Sequence, residues 1–550
     1  MKRNKFINIK FVRDIIIFFI FMIFAGTLSI YIGMDRNTDV KNYHIYNAWA
    51  FVNDRIGFDL LPADIQSYFN PLPDIPYFLM IKYFNNHPAI VTFVWGFSYA
   101  LFLFLIYKLS KFIFKDYYKC YTTAISVMIA SGVFMVVRHI GWLSNDILFA
   151  DLALISLYFI LKSFGKIYHP KLLLSAGLIT GAAVGLKYTA AIFAIPLLLT
   201  FLIFYKQFTN PKKSFWLLVA GMALGFLLTD GFWMYKLYHQ FHNPLFPYFN
   251  WIFHSDYIAM PNVFTTDFAQ DIEHIQKKTF LLYPFFYRTD IHFQIFYSLF
   301  FINLCTIPFV NKQKFQEIFK INLNYTDFIL TFSFIAYIVL AKSFAVVRYY
   351  APLSGLVGIS AIIVSLKLFY ILRRILLFAK EINKLKHIPD IIKYNRIYIA
   401  TILIFLSVIF IPNYFSEKGR PGSRVPVEQE LIKVTNIEIP DNAIVFAQRS
   451  TGIVIPFQNP NAQYIGLNSP RFTKRNAVLL SNKYIQKIKN LVKESPQHIF
   501  MLTPTSSPKE DEYIQTELNR LDLKFSLFQD IKTIKTNFGK DYYLTKLEIK

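Results

Sequence analysis

Asp39 is the side chain of this sequence that is best placed to act as a general base. It lies in the polar segment MDRNTDVKNYHIYN, directly after an apolar stretch that runs from Phe11 to Met34. At a rise of about 1.5 Å per residue, such a stretch crosses the roughly 30 Å hydrocarbon core of a bilayer as one helix. The carboxylate would therefore stand at the membrane surface, where it could deprotonate a hydroxyl. A transporter gate would also use a carboxylate there, so that alternative stays open.

The remainder of the first polar loop supplies groups that could work with such a base. If Asp39 begins an α-helix, Tyr43 lies on its face one turn later, next to His44. Asp64 provides a second carboxylate, and planar or hydrogen-bonding side chains of this kind suit the binding of a sugar ring. We therefore interpret Asp39 and Asp64 as catalytic and Tyr43 and His44 as substrate-binding. Ordinary capping and turn formation by Asp side chains is the alternative.

Three later segments offer polar groups that could meet a substrate on the same side of the membrane. Asn145 and Asp146 stand at the start of an apolar stretch, where N-capping explains Asp146 equally well. Lys187 stands at the end of another stretch, with snorkelling to the interface as the alternative. Arg348 belongs to the motif RYYAP, just beyond a third stretch. Because a guanidinium binds phosphate through two parallel hydrogen bonds, we expect Arg348, assisted by Lys187, to hold a phosphate.

The sequence lacks the motifs of several familiar kinds of enzyme. HExxH, Walker A and GxSxG motifs are absent, and the two cysteines, Cys120 and Cys305, form no CxxC pair. Asp35 and Asp39 are poorly supported by further clear ligands for a metal ion. We therefore predict no metal site and no certain cofactor, while a divalent cation bound by carboxylates stays open.

The composition shows how these side chains are positioned, since it is that of a polytopic membrane protein. The 550 residues are 55% hydrophobic and 17% charged, with a mean hydropathy of +0.37. Apolar runs of the length of a transmembrane helix recur along the chain. We predict about eleven spans, at residues 11–33, 89–107, 121–137, 147–162, 172–187, 189–205, 214–236, 291–310, 327–344, 352–372 and 397–414.

The net charge of +24 reports membrane topology rather than nucleic-acid binding. Basic clusters precede the first predicted span and follow the second, sixth and tenth, so all of them lie on one side. The positive-inside rule places that side in the cytoplasm. With the N-terminus inside and an uncleaved first span as an anchor, the loops 34–88 and 237–290 and the C-terminal region lie outside.

The chain changes character near residue 416, where a turn-rich linker ends the apolar spans. We assign residues 1–416 to a transmembrane catalytic domain and residues 417–550 to a small α/β extracytoplasmic domain. In this domain we predict strands and helices, the last helix with Ser507 as its N-cap. The strands are Ala443–Ala447, Ile499–Leu502 and Tyr542–Leu547, and the helices are Asn476–Lys493 and Pro508–Leu521. A structural or acceptor-docking role is expected for this domain.

These motifs resemble those of the GT-C superfamily of polytopic membrane glycosyltransferases, which includes protein O-mannosyltransferases and bacterial aminoarabinose transferases. The similarity lies in TDVKNYHIYNAW, in the Asn-Asp start of the fourth span, in GLKYTA and RYYAP, and in HNPLFPYFNWIF. The resemblance covers the membrane region and implies a GT-C-like α-helical fold, a polyprenyl-phosphate-linked sugar donor and a catalytic acid in the first loop. That acid corresponds to Asp39, with Asp35 as its rival because the spacing from the first span varies. Asp35 is otherwise expected to bind substrate.

The expected activity is inverting transfer of a hexose or pentose from the lipid-phosphate donor to a glycan, lipid or protein acceptor. It is expected on the outer face of a bacterial inner membrane, with membrane lipids around the chain and no nucleic-acid partner. Asp39 would be the base and Lys187 and Arg348 would hold the phosphate, while the other polar side chains named above position the sugar. A transporter or flippase of lipid-linked saccharides is the alternative, and an assembly scaffold that acts through the C-terminal domain is a third hypothesis.

Overall fold

Apolar helices form the greater part of the structure. The computed structural model describes residues 9–116, 118–259, 280–286, 290–343, 346–381, 424–467, 480–494, 498–527 and 531–550. Within these ranges, six helices are long and apolar enough to cross a membrane. They are Ile9–Ile32, Pro88–Ile113, Pro211–Phe241, Ile291–Phe309, Leu323–Lys342 and Val347–Ile375. Pro88–Ile113, Ile291–Phe309 and Val347–Ile375 each consist of consecutive helical segments. The chain is therefore a multi-pass membrane protein, as its composition predicts.

Shorter helices lie where most of the other predicted spans fall. In chain order the α-helices are α1 Ile9–Ile32, α2 Ile45–Val52, α3 Ile75–Phe84, α4 Pro88–Trp95, α5 Phe97–Ile113, α6 Lys119–Ser131, α7 Phe134–Arg138, α8 Asp146–Lys162, α9 Pro170–Leu186, α10 Ala191–Ile203, α11 Pro211–Phe241, α12 Asn250–Phe253, α13 Tyr283–Phe286, α14 Ile291–Thr306, α15 Lys312–Phe319, α16 Leu323–Lys342, α17 Val347–Tyr350, α18 Val357–Glu381, α19 Asn482–Glu494 and α20 Glu512–Arg520. The predicted span 121–137 is interrupted between α6 and α7. The predicted span 397–414 and part of the predicted outer loop 237–290 lie outside the described residues. The total of eleven spans is thus not confirmed.

Glycines bring two of these helices, α9 and α11, into close contact. A Cβ atom on Gly181 of α9 would lie 1.9 Å from the carbonyl oxygen of Met222 of α11. One on Gly225 would lie 2.1 Å from the carbonyl oxygen of Leu178. Small residues allow this close approach of backbones, which is common between helices in membranes. The end of α9 is thereby fixed against α11, and Lys187 follows directly at that end.

The first polar loop is more regular than the sequence predicts. Val40–His44 form a π-helix that continues into α2, and α3 follows later in the same loop. A helix is thus present at Asp39, but its hydrogen bonds over Val40–His44 are those of a π-helix rather than an α-helix. The cause is tertiary, since the carbonyl group of Lys41 accepts a hydrogen bond from the N–H group of Ile453 at 3.0 Å. A π-helix closes i→i+5 hydrogen bonds, so it changes which residues share a face.

The C-terminal region contains a mixed sheet with two helices, which confirms the small α/β unit. The strands of the chain are β1 Met34–Asp35, β2 Pro62–Ile65, β3 Arg424–Val425, β4 Ile444–Ala447, β5 Gln463–Gly466, β6 Ile499–Thr503, β7 Leu523–Phe525, β8 Ile531–Ile534 and β9 Tyr542–Ile549. The sheet order is β5-β4-β6-β9-β7, with β8 also paired to β9. The predicted helix Pro508–Leu521 begins later, and Asp511 rather than Ser507 caps α20. Asp511 can do so because its carboxylate accepts from the N–H groups of Tyr513 and Ile514.

The C-terminal sheet packs directly on the first polar loop. The N–H group of Leu60 donates to the carbonyl group of Tyr464 at 2.9 Å, and that of Gly466 donates to the carbonyl group of Leu60 at 2.7 Å. Strand β1 pairs antiparallel with β3, which joins the end of α1 to the start of the described C-terminal region. Buried side chains of the loop and of the sheet also belong to the same hydrophobic clusters. The C-terminal region therefore helps to hold the loop that contains Asp39.

Candidate active site

Four charged side chains from separate parts of the chain converge at one end of the helical bundle. The guanidinium of Arg348 lies 3.1 Å from a carboxylate oxygen of Asp39 and 3.4 Å from one of Asp146. The ammonium of Lys187 lies 2.5 Å from the other carboxylate oxygen of Asp146 and donates to the carbonyl group of Ser144 at 2.7 Å. All four are predicted site residues. We call Asp39, Asp146, Lys187 and Arg348 the charge cluster.

The charge cluster forms where several helices begin or end. Asp39 directly precedes the π-helix, and Asp146 is the first residue of α8. Lys187 directly follows α9, and Arg348 lies in α17. The N-cap position of α8 is occupied by Asn145, whose φ of 57° is left-handed and whose side chain makes no capping hydrogen bond. The capping explanation of Asp146 is therefore wrong, because its carboxylate is engaged by the two cations instead.

The charges of the cluster balance, and Asp39 is held in its ionised form. Burial alone would raise the pKa of Asp39, but the positive charge of Arg348, with a smaller effect of His44, outweighs burial and brings the pKa below its ordinary value. The Asp146 side chain is only 2% exposed, whereas that of Arg348 is 23% exposed. An entering phosphate could therefore reach Arg348 and take hydrogen bonds that the carboxylates now share.

Aromatic rings that were not predicted as site residues line the cations. The centre of the Tyr349 ring lies 5.2 Å from the Lys187 ammonium and 5.3 Å from the Arg348 guanidinium, within the range of cation–π interactions. Tyr188 packs edge-to-face with Tyr248, which belongs to the segment HNPLFPYFNWIF, with ring centres 5.7 Å apart. Flat rings beside the cations exclude water and offer faces to a ligand. The first tyrosine of RYYAP, directly after Arg348, was the signal that could have found Tyr349.

Asp35, the rival of Asp39, is engaged in the fold itself. Its carboxylate accepts hydrogen bonds from the N–H group of Asn37 at 3.0 Å, from the Asn37 amide at 3.0 Å and from the N–H group of Leu143 at 2.9 Å. Burial raises the pKa of Asp35, and the charge of Arg424 acts in the opposite direction. A carboxylate occupied by three donors is poorly placed to take a proton from a substrate. This geometry favours Asp39 over Asp35.

Metal-binding side chains do not gather anywhere in the described residues. Among these residues, no group of three or more His, Cys, Asp or Glu side chains could hold a metal ion. The three hydrogen bonds that Asp35 accepts also make it a poor partner of Asp39 in such a site.

Tyr43 and His44, both predicted to bind substrate, are buried in the π-helix. The Tyr43 ring packs edge-to-face with Phe69, with ring centres 5.4 Å apart. The Nδ1 atom of His44 lies 2.7 Å from a carboxylate oxygen of Asp74. Asp74 stands 30 residues after His44 in the same polar loop, and no local spacing in the sequence pairs the two side chains.

Asp64, predicted as a second catalytic carboxylate, makes contacts of a different kind. Its backbone is left-handed, with a φ of 63°, and its carboxylate accepts from the N–H group of Ile65 at 2.8 Å. Its charge also acts on Tyr513 of α20 in the C-terminal region. The structure thus relates Asp64 to the contact between loop and sheet, and its catalytic role stays a prediction.

Comparisons with known proteins agree with this architecture. Residues 75–235 match the family model described as dolichyl-phosphate-mannose-protein mannosyltransferase. The fold is similar to that of ArnT from Cupriavidus metallidurans, whose crystal structure is bound to undecaprenyl phosphate. The TM-score is 0.52 and the sequence identity 10%, over 96% of this chain and 97% of that one. No curated protein sequence matches the chain. The two matches confirm the predicted resemblance to the GT-C superfamily.

Proposed function

We propose that this chain, a membrane protein with the fold of GT-C glycosyltransferases, transfers a sugar from a polyprenyl-phosphate-linked donor to an acceptor. The charge cluster is the observation that carries the proposal, because it combines a carboxylate base with two cations for a phosphate. ArnT, which has a similar fold, is bound to undecaprenyl phosphate, and the matched family is named for a dolichyl-phosphate sugar. Both names describe a phosphate on a polyprenyl chain, which is the chemistry that Lys187 and Arg348 would recognise.

The proposed reaction is a single displacement at the anomeric carbon of the donor sugar. Asp39 takes the proton of an acceptor hydroxyl while the hydroxyl oxygen bonds to the anomeric carbon. The bond between that carbon and the phosphate oxygen breaks, and its electron pair leaves with the phosphate. Arg348 and Lys187 stabilise the negative charge that develops there. Attack from the face opposite the leaving group inverts the configuration of the sugar.

Other groups around the cluster have supporting roles in this proposal. Asp146 holds both cations through its ion pairs, at 2.5 Å from Lys187 and 3.4 Å from Arg348. Tyr43 and Asn145 are proposed contacts of the sugar, since each lies beside a member of the cluster in the sequence or on its helix. The acceptor is a glycan, a lipid or a protein, and the sugar is a hexose or a pentose.

We place the reaction on the outer face of a bacterial inner membrane. This rests on the basic clusters, which put the N-terminus in the cytoplasm and the first polar loop on the opposite side. The charge cluster forms between that loop and the helix ends, so it would face outward. Residues 1–416 would form the catalytic membrane domain and residues 417–550 an extracytoplasmic domain packed on the loop.

Complementation of a deletion strain tests the proposed function. Surface glycans are compared by mass spectrometry after expression of the wild type, Asp39→Asn, Asp35→Asn or Asp54→Asn, with membrane levels of each protein measured. Asp54 lies in the same loop and its side chain is 85% exposed, so Asp54→Asn is the matched control. We expect the wild type and the Asp54→Asn control to restore one sugar to the surface glycans. Asp35→Asn should restore the same sugar in proportion to the amount of folded protein. Asp39→Asn should not restore it.

Two outcomes would contradict the proposal. Full restoration by Asp39→Asn would remove this carboxylate from the mechanism. Transport of a lipid-linked saccharide by the wild type in proteoliposomes, without any glycosylated product, would instead support a flippase.

A further inference from the structure

A second pair of buried ionisable side chains lies beside the charge cluster. The Nδ1 atom of His44 lies 2.7 Å from the carboxylate of Asp74, and the two side chains are only 5% and 6% exposed. The Nε2 atom of His44 is buried and has no hydrogen-bond partner among the described residues. A carboxylate that accepts from Nδ1–H fixes the tautomer of a histidine and leaves a lone pair on Nε2. The pair, which we call the dyad, therefore presents an unused base.

The π-helix brings the dyad toward Asp39. In an α-helix, where residues follow at about 100°, His44 would point away from Asp39 because five residues separate them. In a π-helix, whose hydrogen bonds join residues i and i+5, the two positions lie about one turn apart on the same face. The charge of His44 acts on Asp39 more strongly than any other charge except that of Arg348. Single π-turns of this kind often occur at functional sites.

The ion pair with Arg348 weakens the ability of Asp39 to keep a proton, and the dyad could accept that proton instead. Arg348 lies 3.1 Å from Asp39 and favours its ionised form, so Asp39 holds a substrate proton weakly. The imidazole of His44 is a better destination for this proton, since histidine exchanges protons near neutral pH.

We propose that the His44–Asp74 dyad receives the proton that Asp39 takes from the acceptor hydroxyl, an inference that rests on the proposed function. The proton moves from the acceptor oxygen to the Asp39 carboxylate. Because Nε2 of His44 has no hydrogen bond to Asp39, a water molecule then relays the proton to Nε2, and His44 becomes an imidazolium. Asp39 regains its negative charge, and Asp74 stabilises the imidazolium as a positioning residue. The leaving phosphate gains one negative charge while His44 gains one positive charge, so the net charge of the site is unchanged. The proton passes to water after the products leave.

The dyad lies among other charged groups. Burial raises the pKa of Asp74, while the charges of His44 and then Lys187 act in the opposite direction. His44 interacts electrostatically with Asp35 and Asp39 of the first loop, and Asp74 interacts with Lys187 after α9. Arg348 of α17 affects the dyad indirectly, through its ion pair with Asp39. The Asp74 carboxylate lies 2.7 Å from the imidazole, and the cations would be engaged by the phosphate.

Steady-state kinetics of His44→Gln and Asp74→Asn test the inference. The full-length protein is reconstituted in liposomes with a lipid and glycan extract of the deletion strain as the source of donor and acceptor. Rates are measured from about pH 5 to about pH 9, a range that includes the titration of histidine. His169→Gln is the matched control, because His169 precedes α9 at the end opposite Lys187. A thermal shift on addition of undecaprenyl phosphate shows that each variant is folded and binds the lipid phosphate.

We expect His44→Gln to lower kcat by about 100-fold, the lower end of the range for loss of a proton-transfer group, with little change in the donor KM. The decrease of kcat in acid should disappear, because a glutamine does not titrate. Asp74→Asn should move this decrease to lower pH, because a neutral amide stabilises the imidazolium less than a carboxylate. Wild-type kcat and an unchanged acid limb in folded His44→Gln would overturn the inference. If Asp39→Asn were inactive in the same assay, that result would leave the proposed function intact. A wild-type protein that forms no glycosylated product would contradict both the proposed function and the role of the dyad.

Discussion

The contact between the C-terminal region and the first loop makes a sharp prediction at Gly452. A Cβ atom at this position would lie 1.8 Å from the carbonyl oxygen of Asn42, in the π-helix between Asp39 and His44. Observed side-chain carbons almost never approach an atom within 3.0 Å, so the two backbones would have to separate by about 1.2 Å. The substitution Gly452→Ala therefore moves the loop that carries the proposed base.

The structure gives the size of the expected effect. Two hydrogen bonds cross this contact, from the N–H group of Ser450 to Asn42 Oδ1 at 3.0 Å and from that of Ile453 to the carbonyl group of Lys41 at 3.0 Å. A separation of that size would break both, at about 1 kcal/mol each, and overpacking adds about 1 to 3 kcal/mol. We expect Gly452→Ala to lower the free energy of unfolding by roughly 3 to 5 kcal/mol. Misplacing a catalytic group by about 1 Å can lower kcat roughly 100-fold.

Thermal unfolding and the liposome assay measure the two effects on the same preparation. The matched control is Gly539→Ala, because a Cβ atom there meets nothing within 4 Å although the φ of +78° strains an alanine. Its strain should cost about 1 to 2 kcal/mol and leave kcat at the wild-type value. A Gly452→Ala protein with wild-type Tm and kcat would refute the close contact between loop and sheet. Equal loss of kcat in both variants would show that stability alone, and not the position of the loop, limits activity.

Two further predictions concern the charge cluster. Lys187→Gln should weaken binding of undecaprenyl phosphate about tenfold or more, since a charge-assisted hydrogen bond contributes about 1.5 to 3 kcal/mol; unchanged thermal shifts across a lipid titration would contradict a phosphate contact. Burial opposes ionisation of Asp39, but the charge of Arg348 brings the pKa of Asp39 below its ordinary value. The ion pair between them therefore stabilises the folded protein fully above about pH 4, the ordinary pKa of an aspartate. This stabilisation is lost as the pH falls through the lower pKa that Asp39 has in the folded state. The difference in Tm between wild type and Asp39→Asn should therefore be constant between about pH 7 and about pH 5 and shrink in stronger acid; a difference that grows in acid would refute the ion pair.

Local sequence patterns were sufficient for the helices and for much of the C-terminal sheet. Mean hydropathy over a window of one helix depends only on neighbouring residues, so the spans near Phe11, Pro211 and Leu323 could be recognised without any tertiary contact. The same holds for strands such as Ile444–Ala447, which is buried along its whole length. The helix predicted from Pro508 started late because several residues there could serve as a cap, and only the actual hydrogen bonds identify Asp511.

For the candidate site, too, some features follow from local sequence and others depend on tertiary contacts. The apolar spans were enough to show that Asp39, Asp146, Lys187 and Arg348 stand at helix ends. Their meeting could not be predicted, because the Asp39–Arg348 pair joins positions 309 residues apart and depends on how the helices pack.

The π-helix was likewise decided by tertiary contacts. No local pattern specifies i→i+5 hydrogen bonds in VKNYH, and the backbone of the C-terminal region donates to Lys41 and Asn42 from outside. These hydrogen bonds from the C-terminal region hold the π-helix, and the π-helix determines which polar side chain lies on the same face as Asp39. The physical reason is that a helix end can be read from its own residues, whereas ion pairs and an irregular turn are stabilised by atoms that the chain brings together only when it folds.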